Sequence, residues 1–228
     1  MDKQLVLALP HVPALDAENF HVSACNEAAV RLVGDWPRWP GRACVLVGPA
    51  GSGKSHLAQI WCERAGAERV DAGAIRGDAV RAGHVAIEDV DRTPLDERAF
   101  FHLLNLSKEQ GFDILLTART PPGEWDVALP DLRSRFRSLS VVHIEPPDDD
   151  LLRALLIKHF ADRQLQVAPD LVAYLVKRME RSAAEAEALV SEIDRAALSH
   201  QRGISKSLVR AVLQTLPRYA HHAEDQEC

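Results

Sequence analysis

Short apolar runs bounded by glycine, aspartate or proline alternate with longer amphipathic stretches through the first two thirds of the chain. These runs lack the alternation of apolar and polar positions found in a half-exposed sheet, so both faces of each strand are expected to be covered. Five strands are predicted in this way, at 44–48, 69–71, 84–88, 113–117 and 139–144. Helices are predicted between them, near 24–33, 54–65 and 96–110. Strands that alternate with helices indicate an α/β domain with a parallel sheet in three αβα layers.

The strand pattern stops after Pro146 and Pro147. Three aspartates at 148–150 then open an amphipathic segment, which suits the positive end of a helix dipole. Further helices are predicted near 169–180, 183–201 and 205–215. The expected organisation is an α/β domain over 11–147, a small all-α domain over 148–217, and a polar tail over 218–228 that is expected to be disordered.

Charge and composition argue against several classes of protein. The 228 residues include 27 Lys and Arg against 33 Asp and Glu, a net charge of −6. This balance argues against direct, sequence-specific DNA binding, which usually needs a basic excess. The four cysteines are far apart and predict neither a zinc site nor a disulfide framework. No run of about 18 apolar residues predicts a membrane span, so we expect a cytoplasmic protein.

The strongest chemical motif begins at the end of the first predicted strand of the sheet. Residues 48–55 match the pattern G-x-x-x-x-G-K-[ST], with a strand before the motif and a helix after it. Such glycines let backbone N–H groups converge on phosphates at a helix N-terminus. The motif predicts binding of ADP or ATP, with Lys54 on the phosphates and the Ser55 hydroxyl on Mg²⁺. The predicted nucleotide-binding residues here are Gly48, Pro49, Ala50, Gly51, Ser52, Gly53, Lys54, Ser55 and His56.

Two carboxylates follow the strand predicted at 84–88. Glu88 and Asp89 stand where a P-loop enzyme needs acid groups to hold the metal and orient an attacking water. An acidic turn without a catalytic role is the alternative interpretation. Asp91, two residues further on, is expected at the surface.

The chain resembles the AAA+ module of the DnaA family and, within that group, the Hda family of regulatory inactivators. The motifs that carry the resemblance span residues 15–216: the P-loop, Ile87–Asp89, Ile114-Leu-Leu-Thr-Ala-Arg-Thr-Pro-Pro122, Leu129-Pro-Asp-Leu-Arg-Ser-Arg-Phe136 and the helical lid. In the DnaA family a DNA-binding domain follows the lid, and this chain ends at the lid. The resemblance therefore implies a regulator rather than an initiator.

The resemblance also implies roles for single residues. Phe20 and Asn26 would help hold the adenine, and Thr117 would be the sensor-one residue. Arg135 would be the arginine finger, projecting into the nucleotide of a neighbouring subunit, with Arg133 nearby. The alternative for Arg135 is an ordinary surface arginine tied to a carboxylate of its own helix.

Three departures from the family pattern bear on catalysis. Glu88 precedes Asp89 where the family strand usually ends with Asp first. Ala118 and Arg119 stand in place of a Ser-Asp pair after the sensor-one residue, and Ala184 stands where the lid normally carries the sensor-two arginine. We therefore expect weak hydrolysis by the chain itself and a reduced preference for ATP over ADP.

The N-terminal residues 1–10 resemble the segment by which the Hda family docks on the DNA polymerase sliding clamp. An extended peptide would place alternate side chains in a surface pocket, and the candidate residues are Gln4, Leu5, Leu7 and Leu9; an edge strand of the domain is the alternative. The leading interpretation is an adaptor that binds the clamp and stimulates ATP hydrolysis on DnaA, which prevents re-initiation. A self-contained ATPase of the helicase-loader or chaperone type is the second interpretation, and a homodimer is left open.

Overall fold

The computed structural model describes residues 20–77, 83–200 and 203–216. The chain divides between Pro146 and Pro147 into two compact units. Within the described part, the first unit contains five strands and four α-helices, and the second contains four α-helices.

The first unit is built on a parallel five-stranded sheet in the order β2-β3-β4-β1-β5. The strands are β1 (Ala43–Val47), β2 (Glu68–Asp71), β3 (Val85–Glu88), β4 (Ile114–Ala118) and β5 (Ser140–His143). The helices are α1 (Glu27–Asp35), α2 (Lys54–Ala65), α3 (Glu97–Gln110) and α4 (Pro130–Arg137). The predicted α/β class and parallel sheet are confirmed. The eight-residue helix α4 is not among the predicted helices.

Helices cover both faces of the sheet, as the uniformly apolar strands require. On β1, Val45 and Val47 pack into a cluster that includes Phe100 and Leu103 of α3. The intervening residues of β1 point to the other face, where the cluster includes Trp61 of α2. This period of two is the pleat of a strand buried on both sides.

Three tryptophans pack together in the apolar cluster on the α2 face of the sheet. Trp39 stacks on Trp61 with ring centroids 5.2 Å apart, and Trp36 meets Trp61 edge to face at 6.4 Å. The Trp36 Nε1 donates to Asp113 Oδ2 at 2.9 Å, and Arg42 Nη1 donates to Oδ1 of the same carboxylate at 3.2 Å. The 36–40 loop is thus packed against its own domain.

The described residues of the second unit form four helices and no strand: α5 (Asp149–Asp162), α6 (Pro169–Val176), α7 (Ala183–His200) and α8 (Lys206–Thr215). Its core joins leucines and valines from all four helices around Phe160. The N-cap Asp148 accepts from Leu151 N at 2.7 Å, so the acidic run does begin α5 with a side-chain cap. The helix predicted near 169–180 ends earlier, at Val176, as α6.

The strand order decides where the candidate chemistry meets. Because β1, β4 and β3 are neighbours in a parallel sheet, their carboxyl ends lie along one edge. The residues that follow these three strands are the P-loop, Arg119 and Asp89. Ligands of open parallel sheets are generally bound at this edge.

Candidate nucleotide site on the parallel sheet

The P-loop connects β1 to α2 in a conformation that needs its glycines. Gly53, the N-cap of α2, has a φ of +95°, a region that side chains disfavour. At Gly48 a Cβ atom would lie 2.5 Å from the Ile144 carbonyl oxygen and 2.8 Å from Ser52 Oγ. The loop therefore passes too close to the end of β5 for any larger residue at position 48.

Lys54 occupies the centre of this loop. Its side chain is buried, and its Nζ donates to the carbonyl oxygens of Gly48 and Pro49 at 2.7 Å each. Burial lowers the Lys54 pKa, and the charge of Asp89 acts in the opposite direction. Arg119 lowers the pKa further, while Asp91 and Glu88 raise it. The Lys54 ammonium is thus close enough to these four charged residues at the sheet edge to interact with each of them electrostatically.

The loop fits a phosphate group. Ser52 Oγ is buried and has no hydrogen-bond partner among the described residues. The N-terminus of a twelve-residue helix, a buried ammonium and an unused hydroxyl are the donors that phosphate oxygens accept. This arrangement can hold a polyphosphate chain against the sheet edge.

The end of β3 supplies the carboxylates. Asp89 is exposed and has a φ of +52°, and its N–H donates to Thr117 Oγ1 at 3.1 Å. The next N–H, of Val90, donates to the Thr117 carbonyl oxygen at 3.0 Å. Thr117, the predicted sensor-one residue, is itself buried in β4. Its side chain fixes the turn that presents Asp89.

Glu88 is the better shielded of the two carboxylates, with 18% of its side chain exposed. Its Oε1 is buried without a hydrogen-bond partner in the described part of the chain and lies 3.8 Å from Arg69 Nη1. Ser55 is exposed in the first turn of α2. A carboxylate and a hydroxyl oxygen fit Mg²⁺, which is bound in such sites by few protein ligands together with phosphate and water. No group of three or more His, Cys, Asp or Glu among the described residues could hold a metal on its own.

Asp91 corrects a sequence-based expectation. It was expected at the surface, but its Oδ2 accepts from the N–H groups of Arg119 and Thr120 at 2.9 and 2.8 Å and from Thr120 Oγ1 at 3.0 Å. Its Oδ1 is buried. Asp91 thus joins the loop after β3 to the loop after β4. The partners lie 28 and 29 residues away in sequence, so no local signal could have revealed this role.

Phe20 and His56 lie beside the P-loop end of α2. Asn26 lies in the segment after Phe20. The Phe20 ring meets the His56 ring edge to face with centroids 5.1 Å apart, and it lies 3.5 Å from the position of a Cβ on Gly53. The buried Asn26 instead uses both ends of its amide locally. Its Nδ2 donates to the His21 carbonyl oxygen at 2.9 Å, and its Oδ1 accepts from Ser23 N at 3.0 Å. Asn26 therefore shapes the segment that carries Phe20.

The arginines of α4 separate into two kinds. Arg133 donates from Nε to the Val127 carbonyl oxygen at 2.9 Å, and its Nη2 contacts the same oxygen. Arg135 makes no side-chain hydrogen bond or ion pair with the described residues, and its Cζ lies 5.0 Å from the centroid of the Phe101 ring. Arg135 therefore does not pair with Asp131, the carboxylate of its own helix that the alternative interpretation requires. Arg135 also lines a cavity of about 150 Å³ with Arg42 and Lys108.

In the second unit, Ala184 is an exposed residue in the first turn of α7. Arg181, one turn earlier, donates to the Pro147 carbonyl oxygen at 3.0 Å and to Asp149 Oδ1 at 2.7 Å. Its guanidinium is therefore engaged at the start of α5. The predicted clamp-binding residues Gln4, Leu5, Leu7 and Leu9, and the tail at 218–228, lie outside the described residues.

The first unit has a parallel sheet in the order 2-3-4-1-5, a P-loop after β1 and carboxylates after β3, and helices follow it in the chain. These features are those of the AAA+ fold. The family model for the lid domain of Hda matches residues 148–213. The chromosomal replication initiator protein DnaA of Cutibacterium acnes is 24% identical over 233 residues, a match that covers 90% of this chain and 47% of that protein. The chain therefore spans about half the length of this curated relative.

Solved structures agree on the fold. Domain III of the replication initiation protein DnaA from Thermotoga maritima has a TM-score of 0.76 at 17% identity, covering 91% of this chain and 98% of that domain. AMPPCP-bound DnaA from Aquifex aeolicus has a TM-score of 0.70 at 20% identity, covering 84% of this chain and 68% of that one. The chain thus has the fold of DnaA domain III, and its residues 148–213 match the Hda lid domain. No helix in its described part is long and apolar enough to cross a membrane.

Proposed function

We propose that the P-loop from Gly48 to Ser55 binds ADP or ATP. The close approach at Gly48, the buried ammonium of Lys54 and the unpartnered Ser52 Oγ support phosphate binding. The DnaA structure from Aquifex aeolicus, a fold relative, is described as bound to AMPPCP. Phe20 and His56 would contact the nucleotide beside the loop, with Asn26 holding the segment in shape.

Ser55 and Glu88 would hold Mg²⁺, and Glu88 with Asp89 would serve as the acid groups of hydrolysis. When bound, the metal would neutralise charge that develops on the phosphates. Hydrolysis by the chain alone is proposed to be weak. The Thr117 hydroxyl already accepts from Asp89 N–H, and Ala184 offers no cation.

The wider proposal is a regulatory adaptor of replication initiation that stimulates ATP hydrolysis on DnaA while it is bound to the sliding clamp. The observation that carries it is the state of Arg135. Its guanidinium is free of hydrogen-bond partners among the described residues, whereas Arg133, two residues away, is used internally. An arginine supplied in trans to a neighbour's transferring phosphate needs a free guanidinium, and such a residue can raise the rate about 10³- to 10⁵-fold.

The N-terminal peptide with Gln4, Leu5, Leu7 and Leu9 is the proposed clamp contact. It would place this chain at replicating DNA without any sequence-specific DNA contact of its own, in keeping with the net charge of −6. Conversion of DnaA to its ADP form would then follow loading of the clamp and would inhibit re-initiation.

The test measures ATP hydrolysis on DnaA with and without this chain, and with and without DNA-loaded clamp. Clamp-dependent stimulation is expected, and Arg135→Ala should reduce it at least 100-fold while leaving nucleotide binding unchanged. Arg137→Ala is the matched control, because Arg137 is an exposed arginine in the same last turn of α4. Gln4→Ala with Leu5→Ala should remove only the dependence on the clamp.

Two results would replace the adaptor proposal. Brisk hydrolysis by this chain alone, without any effect on DnaA, would identify a self-contained ATPase of the helicase-loader or chaperone type. Equal losses in the Arg135 and Arg137 variants would show that the charge of α4, rather than one guanidinium, is what matters. Sedimentation at micromolar concentration, with and without ADP, tests whether the adaptor acts as a homodimer.

A further inference from the structure

Arg119 leaves the sheet directly beside the P-loop. The register of β4 on β1 pairs Ala118 with Val47, and the Gly48 N–H donates to the Ala118 carbonyl oxygen at 3.1 Å. Arg119 is therefore the residue that stands next to the first glycine of the P-loop. Its position follows from the sheet and does not depend on a mobile loop.

The backbone at Arg119 is fixed from the other side as well. Asp91 Oδ2 accepts from the N–H of Arg119 and from both the N–H and the hydroxyl of Thr120. The main chain is thus held between the P-loop and the loop after β3. Such double support is what a residue needs if its side chain is to bind a ligand at a defined place.

The side chain of Arg119, by contrast, is uncommitted. It is exposed and makes no hydrogen bond or ion pair with any described residue, although the carboxylates Glu88, Asp89 and Asp91 lie at the same sheet edge. Arg119 is thus an exposed cation whose backbone lies beside the P-loop that holds Lys54.

Two cations that repel each other favour a shared anion. Lys54 lies within the P-loop, with its Nζ on the Gly48 and Pro49 carbonyl oxygens, and Arg119 follows the strand that pairs with the one before this loop. A polyphosphate bound at the loop would be an anionic partner for both cations. The guanidinium can also take two phosphate oxygens in its planar fork, which an ammonium cannot.

We propose that Arg119 is a nucleotide-binding residue that contacts the terminal phosphate, the β-phosphate of ADP or the γ-phosphate of ATP. It supplies beside Lys54 the second cation that the lid does not offer at Ala184. The inference rests on the nucleotide-binding part of the proposed function and adds to it a residue outside the P-loop. It predicts that the chain holds ADP as well as ATP through this side chain.

The test is equilibrium binding of AMP, ADP and ATP to the full chain by calorimetry, with competition against a fluorescent ADP for weak cases. Arg119→Gln should weaken ADP and ATP about 10- to 100-fold, the range expected for a lost charge-assisted hydrogen bond. AMP, which has no terminal phosphate of this kind, should bind within about twofold of the wild type. Arg119→Lys should retain part of the affinity because it keeps the charge and loses the fork.

Arg31→Gln is the matched control, since Arg31 is an exposed arginine whose side chain pairs, among the described residues, with Glu27 of its own helix α1. It should leave all three affinities unchanged. Unchanged ADP and ATP affinities in Arg119→Gln, or an equal loss of AMP affinity, would overturn the inference. So would a lower thermal stability of Arg119→Gln without nucleotide, because that would assign the side chain a structural role. A wild-type chain that binds no nucleotide at all would instead overturn the proposed function together with this inference.

Discussion

Replacing Gly48 with alanine tests the geometry of the P-loop with one methyl group. The added Cβ would lie 2.5 Å from the Ile144 carbonyl oxygen, and carbon–oxygen contacts normally lie at about 3.3 Å or more, so the overlap is about 0.8 Å. The obstacle is backbone, and it is anchored: Ile144 N donates to the Val47 carbonyl oxygen at 2.7 Å. The loop and the end of β5 cannot separate without disturbing this hydrogen bond.

The expected cost follows from these contacts. Overpacking of one methyl group costs about 1–3 kcal/mol, and a weakened hydrogen bond adds about 0.5–1.5 kcal/mol. Alanine also restricts the unfolded chain more than glycine does, which stabilises the folded state by about 0.4–1 kcal/mol. Gly48→Ala should therefore lower the free energy of unfolding by about 0.5–4 kcal/mol. It should also weaken ADP binding, because the loop that would hold the phosphates has moved.

Urea denaturation and fluorescent ADP titration measure the two effects. Gly34→Ala is the matched control: Gly34 lies inside α1, and a Cβ there would meet no atom within 4 Å. This control should raise the stability by about 0.5–1 kcal/mol and leave nucleotide affinity unchanged. Wild-type stability and affinity in Gly48→Ala would refute the reasoning, because the loop would then have room that the structure denies it.

Three further predictions concern single buried or half-buried groups. Burial raises the pKa of the Cys44 thiol to about 12, so Cys44 should stay unmodified by iodoacetamide at pH 8 in the native protein and react after unfolding, as read by mass spectrometry. Burial lowers the pKa of His159, so the unfolded chain binds its proton more readily and the lid should lose stability as pH falls below about 6.5. His159→Phe should flatten that pH dependence in urea titrations, and an identical slope would contradict the assignment. Asp91→Ala should lower the free energy of unfolding, measured by urea titration, by about 2 kcal/mol, because three donors of Arg119 and Thr120 lose a charged acceptor. The comparison is Asp126→Ala, at an exposed carboxylate that accepts no such bonds from the described residues.

The sequence predicts the fold well wherever chemistry and pattern agree. The strand before Gly48 and the helix after Ser55 follow from the motif alone, and β1 and β4 lie within one residue of their predicted positions. The helix α4 could not be found from periodicity, because only Leu132 and Phe136 of its eight residues are buried. Its proline at the first position is a start signal, but one too weak to define a helix.

The candidate site is predicted less evenly, because several of its side chains depend on backbone atoms far away in sequence. No pattern could separate Arg133 from Arg135, since the partner of Arg133 is the carbonyl oxygen of Val127. Asn26 likewise bonds to backbone atoms of its own loop, which residue type alone does not reveal. Motifs thus identify which residues carry the chemistry, while tertiary contacts decide which of two similar residues remains available.

The position of Arg135 above Phe101 has an entropic consequence. A freely rotating arginine side chain carries about 2 kcal/mol of rotamer entropy, all of which must be lost when it enters a partner's site. The aromatic platform on α3 already restricts that rotation in the isolated protein. In the proposed adaptor, docking would then have less side-chain disorder to remove, so a smaller protein–protein contact would bring the guanidinium to the partner's phosphate. After release, the side chain would still be restricted for the next encounter.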